Sequence, residues 1–199
     1  MLWSVSQNEK EYFMIGYAMC GSFCTHAQSV AAMKRLLDAG LELQPIMSES
    51  VYTTDTRFHL ASDLCGEVER LTGRRIIHSV ADAEPLGPAM PLDALIIAPC
   101  TGNTLAKLAQ GITDTAVTMA AKAHLRCDRP LLIALATNDA MSQNLGNIGA
   151  LLNRKSVYFV PMRQDAPKNK PHSLVADFSR LSEAYEAMKR GEQIRPLFL

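Results

Sequence analysis

The stretch best suited to chemistry is the link at residues 100–104 (CTGNT), which consists of small, hydroxyl and amide residues. It separates an apolar run at 93–98, typical of a strand buried on both faces, from a helical pattern at 105–112. Such a link combines free backbone N–H groups, a helix N-terminus and side-chain donors, which together can hold a phosphate. We therefore predict an anion-binding loop, with simple helix capping by its Thr or Asn residues as the alternative.

Similar links follow three other predicted strands. Residues 21–25 (GSFCT) come after a strand at 12–19, and in this link Gly21 permits a tight turn while Ser22 can donate a hydroxyl. The hydroxyl-rich segment 48–54, which includes Ser48, follows a strand at 41–47; ligand binding and a solvated turn are equally good interpretations of it. Thr137, Asn138 and Asp139 end a buried strand at 131–136.

The elements that must position these links alternate between strand and helix along the chain. The pattern predicts one α/β domain over residues 1–199, Rossmann-like or flavodoxin-like, with three layers and a mainly parallel sheet. Pro45 places its strand at a sheet edge, since proline lacks a backbone donor. Other predicted elements are helices at 26–39, 58–71, 114–123, 142–152 and from 173 onward, strands at 75–80 and 157–160, an extended rigid loop at 81–91, a loop or lid at 161–172, and an N-terminal extension at 1–10.

Composition narrows the classes of function. The 20 basic and 20 acidic residues cancel, which gives no electrostatic case for binding nucleic acid or a membrane surface. No apolar run approaches the roughly 20 residues of a membrane span, and no signal pattern is present, so we expect a cytoplasmic protein. The five cysteines and five histidines are scattered, without zinc-ligand spacing. Neither a metal site nor a disulfide framework is expected.

The links and the helix after the central strand resemble a known family. GS followed by hydroxyl residues, together with APCTGNTLAKLA and the later DT, is similar to the flavoprotein family, whose members bind flavin mononucleotide (FMN) and include cysteine-type decarboxylases and flavin prenyltransferases. The similarity is greater to one branch, the B subunits of dipicolinate synthases, and runs in unbroken order over residues 12–190. The matching fragments are GSFCT, TRF, AEPLGP, PLD, IAPCTGNTLAKLA, MAAKA, ATNDA, LLNRKSVYFVP, QD and KNKPHSLVA.

This resemblance implies an FMN site, with the phosphate at the helix N-terminus and beside Ser22 and Ser48, and the ring near Cys100, Thr137 and Asn138. It implies an oxidoreductase role with a Rossmann-type partner, the A subunit of dipicolinate synthase, through which NADP could enter. A dihydrodipicolinate-type precursor would become dipicolinate in the mother cell of a spore-forming bacterium. The implied cofactor residues are Gly21, Ser22, Ser48, Pro99, Cys100, Thr101, Gly102, Asn103, Thr104, Thr137 and Asn138.

Substrate carboxylates call for cationic partners. The candidates are Arg57, Lys107, Lys122 and Arg163, each with an ordinary surface charge as the alternative. No residue stands out as a general base, and Asp139 and His124 are weak candidates. His26 is given no catalytic role, because this branch usually has an aromatic residue there.

Two departures count against the decarboxylase members of the family. Pro85 stands where they carry a histidine, and ATNDA replaces their PxMN element. The remaining alternatives are an FMN-dependent decarboxylase or prenyltransferase, and a non-catalytic chain that stabilises the A subunit. The Ala-rich segment at 114–123 and the apolar C-terminal stripe predict a homo-oligomer.

Overall fold

The computed structural model describes residues 14–199, so the predicted extension at 1–10 lies outside the described residues. Within this range five parallel strands form the main sheet in the order β2-β1-β3-β4-β5, and two short antiparallel strands extend it beside β4. The strands are β1 Met14–Met19, β2 Glu42–Met47, β3 Ala94–Cys100, β4 Leu131–Thr137, β5 Val157–Phe159, β6 Met162–Arg163 and β7 Leu174–Ala176.

Helices cover both faces of this sheet, which confirms the predicted three-layer α/β fold. The helices are α1 His26–Asp38, α2 Glu49–Thr53, α3 Ala61–Thr72, α4 Val80–Ala83, α5 Gly102–Gln110, α6 Ala116–Leu125, α7 Leu145–Leu152 and α8 Leu181–Lys189. One apolar cluster lies beneath α1, α3 and α8, and a second lies beneath α4 to α7. β3 is buried along its whole length, as its continuous apolar run predicted.

The sheet edge at β2 agrees with the position predicted from Pro45. β2 pairs with β1 on one side, and on the other side its one partner among residues 14–199 is an isolated bridge between Ile46 and Ile77. The predicted strand at 75–80 is therefore wrong, because this segment contributes one bridge rather than a continuous ladder. The predicted extended loop at 81–91 is also wrong at its start. Ser79 caps a short helix there by accepting a hydrogen bond from the Asp82 N–H at 3.0 Å.

The C-terminal helix begins at Leu181 rather than near residue 173. Residues 174–176 form β7, which pairs with the end of β4 beyond the point where β5 stops. Apolar spacing at 174–178 fits a helix, but the open edge of β4 offers these residues a ladder, and tertiary pairing overrides the local pattern. The predicted loop or lid at 161–172 likewise begins with β6.

The helix after the central strand is also shorter than predicted. It ends at Gln110, because Gly111 adopts a left-handed conformation (φ 73°) that closes the last turn. Ile112 lies outside the helix and is 47% exposed, so it does not extend the buried stripe of Leu105 and Leu108.

Candidate functional site

A cleft of about 550 Å³ lies at the carboxyl ends of β1, β3 and β4, where three of the four predicted links meet. Its floor is formed by the links after these strands, and its rim by residues 57–58 and by the segment that leads into β7. The lining residues are Gly21, Ser22, Phe23, Cys24, Thr25, Arg57, Phe58, Thr101, Gly102, Asn103, Ala136, Thr137, Asn138, Asp139, Asp165, Lys170, Ser173 and Val175.

The first turn of α5 supplies backbone donors to the floor. Thr101 caps the helix, since its Oγ1 accepts a hydrogen bond from the Thr104 N–H at 3.2 Å. The first helical backbone bond runs from the Leu105 N–H to the Thr101 carbonyl at 2.9 Å. Within residues 14–199 the N–H groups of Gly102 and Asn103 have no protein acceptor. Capping and donation to a ligand therefore coexist at this helix start.

Gly102 brings the start of α5 into close contact with the end of β4. A Cβ atom at this position would lie 2.5 Å from Thr137 Oγ1, 2.6 Å from Asn144 Nδ2 and 2.8 Å from Asp139 Oδ1. No larger side chain fits without moving these groups. The requirement for glycine thus comes from packing across the cleft floor.

A carboxylate network lies against this helix start. Thr137 Oγ1 donates to Asp139 Oδ1 at 2.5 Å, and the Asn144 amide donates to both Asp139 oxygens at 3.0 and 2.9 Å. Asn144 is 3% exposed and accepts in turn from Asn147 at 2.9 Å. These contacts fix the Asp139 carboxylate in the cleft. The sequence analysis considered Asp139 only as a weak candidate for a general base. Its position after a buried strand was the one signal that could have indicated its place in this network.

Several predicted cofactor residues lie beneath the floor instead of facing the cleft. Cys100 is fully buried, and the Thr104 hydroxyl donates inward to Cys20 Sγ at 3.3 Å. The Pro99 carbonyl accepts from the Cys20 N–H at 3.0 Å, which ties β3 to β1. Burial raises the pKa of the Cys20 thiol to about 11 and that of Cys100 well above its ordinary value, so both thiols stay protonated at neutral pH. Pro99, Cys100 and Thr104 support the floor.

The link after β1 presents a hydroxyl to the cleft. Thr25 bonds the Ser22 carbonyl through both its N–H (2.9 Å) and its hydroxyl (2.8 Å), and the Ser22 side chain does not cap this turn. Ser48 does not line the cleft: it is 8% exposed, and its hydroxyl lies 3.1 Å from that of Ser50. Ser50 Oγ in turn would lie 3.4 Å from a Cβ at Gly21, so the Ser48–Ser50 pair lies directly beside this link.

The rim contains charged residues that the sequence analysis missed. Lys170 Nζ donates to Asp165 Oδ2 at 2.9 Å, and the Ser173 hydroxyl donates to the other Asp165 oxygen. Burial opposes ionisation of Asp165, but the bonds from Ser173 and Lys170 outweigh it and hold the pKa of this carboxyl below its ordinary value. Asp165 and Lys170 come from the segment predicted as a loop or lid, and Ser173 from the start of the predicted C-terminal helix.

Of the four predicted substrate cations, only Arg57 lines the cleft. Lys107 pairs with Asp114 at 2.8 Å, and Lys122 is exposed on α6. Arg163 pairs with Asp177 and borders two neighbouring grooves. The structure therefore does not bring Lys107, Lys122 or Arg163 to the site, because their helix or strand positions direct them elsewhere.

Two broader features concern the described part of the chain. Within residues 14–199 no group of three or more His, Cys, Asp or Glu side chains is placed to hold a metal ion. Among the helices of the same residues, none has the length and apolar character needed to cross a bilayer.

Comparison with known proteins agrees with this architecture. Residues 4–179 match the family model described as Flavoprotein. The chain is 39% identical to the B subunit of dipicolinate synthase from Bacillus subtilis (strain 168) over 93% of its own length and 92% of that protein. Its fold matches the crystal structure of the dipicolinate synthase B subunit from Bacillus halodurans with a TM-score of 0.86 and 40% identity, covering 94% of this chain and 95% of that one.

A more distant structure shares the fold alone. The FMN-dependent cysteine decarboxylase SpaF matches with a TM-score of 0.66 at 21% identity, over 89% of this chain and 96% of that one. The family match covers most of the chain, and the B-subunit relatives match it over nearly its whole length. The chain belongs to the flavoprotein family and is a homologue of the dipicolinate synthase B subunit.

Proposed function

We propose that the cleft binds FMN and that the chain works with a partner, the A subunit of a dipicolinate synthase, to convert a dihydrodipicolinate-type precursor to dipicolinate. The main support is the position of the cleft. It lies beyond the carboxyl ends of β1 and β3, where the strand order β2-β1-β3-β4-β5 changes direction. Flavodoxin-like sheets of this order bind FMN at that point. The proposed cellular location is the cytoplasm of the mother cell of a spore-forming bacterium.

The residues of the cleft fit a phosphorylated planar ligand that is bound with its phosphate at one particular end. The Asp139 carboxylate flanks the first turn of α5, so a phosphate bound there would meet a negative charge. At the other end, the Ser22 hydroxyl and the Gly21 backbone lie next to the Ser48–Ser50 pair. We place the phosphate at this end, beside Ser22, and no longer at the start of α5, whereas the sequence-based expectation included both. The residues that would then hold the ring are Thr101, Gly102, Asn103, Thr137 and Asn138.

Bound FMN would supply an acceptor for the hydride equivalent that leaves a dihydropyridine as it becomes aromatic. The chain's own residues orient the reactants. Arg57 provides a fork of N–H donors for a substrate carboxylate at the rim, and the Asp139 network fixes the floor that would hold the ring. We assign NADP to the A subunit, because the family resemblance implies that this partner has a Rossmann-type fold.

Self-association belongs to this proposal, but the features that predicted it do not support it. Ala120 and Ala121 of α6 are buried against the sheet of the same chain, as are Leu181, Tyr185 and Met188 of α8. Exposed apolar side chains elsewhere, at Leu145, Phe198 and Leu199, are the remaining support for a homo-oligomer. Its size is measurable by light scattering of the purified chain.

A turnover assay separates the proposal from its alternatives. The purified A subunit is assayed with the precursor, first by itself and then with this chain, and both dipicolinate absorbance and carbon dioxide release are followed. The proposal predicts that the ultraviolet band of dipicolinate forms faster with the pair and that no carbon dioxide is released. Release of carbon dioxide would favour a decarboxylase. Acceleration that persists when the flavin is omitted and the cleft variant Arg57→Gln is used would favour a stabilising role.

A further inference from the structure

Two cationic side chains among residues 14–199 line the cleft, and they come from different parts of its rim. Arg57 lies in the loop between α2 and α3, and Lys170 lies in the segment that leads into β7. The fork of a guanidinium matches the two oxygens of one carboxylate. A ligand with two carboxylates therefore needs a second partner, and Lys170 is the other cation that the cleft offers.

The loop that contains Arg57 is compact. Thr56 Oγ1 accepts from the Phe58 N–H at 3.2 Å, and an Asp55 oxygen accepts from the Ala61 N–H at 2.9 Å. The Arg57 guanidinium lies 4.9 Å from the centre of the Phe58 ring. The backbone is thus fixed by hydrogen bonds on both sides of this arginine.

The same loop is attached on the β1 side of the cleft. Nε2 of His59 lies 2.8 Å from Nδ1 of His26, the first residue of α1. The other ring nitrogen of His26 lies 2.9 Å from the Cys20 carbonyl, directly after the end of β1. The two histidine rings are stacked with their centroids 5.0 Å apart. Arg57 is therefore held, through its loop, beside the start of α1.

Lys170 is attached on the other side of β3, at the end of β4. Ser173 is 2% exposed, and its Oγ lies 3.2 Å from the Thr137 carbonyl. The Ser173 hydroxyl contacts one oxygen of Asp165, and the other oxygen accepts from Lys170 Nζ at 2.9 Å. Because β3 lies between β1 and β4, the two strands that position the cations are about 10 Å apart.

The pair with Asp165 leaves Lys170 able to bind a ligand. An ammonium has three N–H donors, and Asp165 is the one acceptor that Nζ contacts among residues 14–199. Both side chains of the pair are partly exposed, so water screens their attraction. The hydrogen bond to Asp165 raises the pKa of Lys170 above its ordinary value, and the ammonium is charged at neutral pH. Lys170 can thus donate to a ligand carboxylate while it keeps its contact with Asp165.

The acidic residues of the cleft also favour Lys170 as the place for a second carboxylate. Asp139 lies against the start of α5, where it would repel a carboxylate of the ligand. Asp165, the acidic residue beside Lys170, has both oxygens engaged in hydrogen bonds, and its charge is balanced by the ammonium. A carboxylate that approaches Lys170 therefore meets unused N–H donors.

We infer that Lys170 is a specificity-determining residue, which binds the second carboxylate of the substrate while Arg57 binds the first. The inference rests on the proposed function, because it concerns the substrate of the same cleft. A ring with a carboxylate on each side reaches from one cation to the other, whereas a ring with a single carboxylate engages Arg57 alone. Lys170 thereby makes the site select dicarboxylates.

Calorimetric titration of the chain saturated with FMN tests this selection. The two probes are pyridine-2,6-dicarboxylate and pyridine-2-carboxylate, which differ by one carboxylate. In the unmodified chain we expect the dicarboxylate to bind about tenfold more tightly, the equivalent of one hydrogen bond to a charged group. Lys170→Gln removes the charge while its amide still donates to Asp165, and it should make the two affinities nearly equal. Lys170→Arg restores the charge and should restore the preference.

Two controls separate a local contact from other effects. Lys168→Gln removes the same unit of charge from an exposed position of the same segment that does not line the cleft, so it should keep the preference. Arg57→Gln should weaken the binding of both probes, because each needs the first cation. Titration of FMN and riboflavin into Lys170→Gln should give the affinities of the unmodified chain.

Each other outcome overturns the inference. A preference that survives Lys170→Gln, or an equal loss for both probes, would show that Lys170 does not bind the second carboxylate. Loss of the preference in Lys168→Gln would indicate a long-range effect of charge. Weaker binding of FMN but not of riboflavin in Lys170→Gln would assign this lysine to the phosphate. In these cases the proposed function stands, whereas the absence of saturable binding of either probe to the unmodified chain would refute both.

Discussion

The floor and the rim of the cleft are built differently. Each floor residue lies within a few positions of the end of a strand of the main sheet, and the floor is tied together by bonds within one link, such as Thr101 to Thr104, and between links, such as Thr104 to Cys20. The rim depends on segments that meet only in the folded chain: His26 and His59 are 33 residues apart. The floor is therefore part of the main sheet itself, whereas the rim is assembled from segments outside that sheet.

The largest effect is expected from Gly102→Ala in the floor. The added methyl would overlap Thr137, Asn144 and Asp139 at 2.5 to 2.8 Å. Overpacking of this kind costs about 1–3 kcal/mol of unfolding free energy. Urea denaturation followed by circular dichroism measures the loss, and the same variant should bind FMN more weakly because its floor has moved.

Gly66→Ala is the matched control for that substitution. Gly66 lies inside α3, and a methyl group added there would have no atom within 4 Å, so alanine should stabilise the chain by about 0.5–1 kcal/mol. An equal effect of the two substitutions would refute the packing argument for the floor.

The next effect concerns the rim. Arg57→Gln removes one of the two cations that line the cleft, the other being Lys170, which is paired with Asp165, and it leaves the loop bonds of Thr56 and Asp55 in place. A charge-assisted hydrogen bond contributes about 1.5–3 kcal/mol, so the KM for the dicarboxylate substrate should rise about 10- to 100-fold. Steady-state kinetics of the two-subunit enzyme measure it. Arg163→Gln, outside the cleft, should leave KM unchanged, and a similar rise in both variants would contradict the assignment.

His124, a buried histidine far from the rim, is expected to make the stability of the whole fold depend on pH. Burial lowers the pKa of His124 below 6.5, its Nε2–H donates to the Pro130 carbonyl at 2.8 Å, and its buried Nδ1 has no partner within residues 14–199. Because the folded-state pKa is lowered, this stability is present above pH 6.5 and is lost as pH falls towards the folded value. His124→Gln keeps a donor and should flatten the acid side of a Tm-against-pH curve. An unchanged curve would show that His124 does not govern it.

The smallest effects are expected from Lys107→Gln and Lys122→Gln. Lys107 is engaged with exposed Asp114, and neither lysine lines the cleft. FMN affinity and substrate KM should both remain within error of the unmodified chain. A clear change in either would place a site on α5 or α6 that the cleft does not include.

These differences also explain what the sequence could predict. The links at 21–25, 100–104 and 137–139 were predicted because small and hydroxyl residues directly follow apolar strands, a local signal. Which of their side chains face the cleft was less predictable. Thr104 and Cys100 point inward because of helical phase and strand register, which only the packed structure fixes.

The rim could not be predicted for a physical reason. Lys170, Asp165 and Ser173 reach the cleft because β7 pairs with β4, and a three-residue antiparallel strand leaves almost no periodic signal. The apolar residues of β7 also fit the helical spacing that predicted a helix from residue 173. The His26–His59 bond likewise depends on how α3 packs beside α1, which no local pattern encodes.

The central claim, that this cleft binds FMN with its phosphate at Ser22, is tested most directly by titrating FMN and riboflavin into the unmodified chain and into Ser22→Asp, with flavin fluorescence as the signal. The account predicts saturable FMN binding, weakened about tenfold or more by the added carboxylate, while riboflavin, which lacks the phosphate, binds both proteins alike. The absence of saturable FMN binding to the unmodified chain, or equal weakening of both flavins, would contradict it.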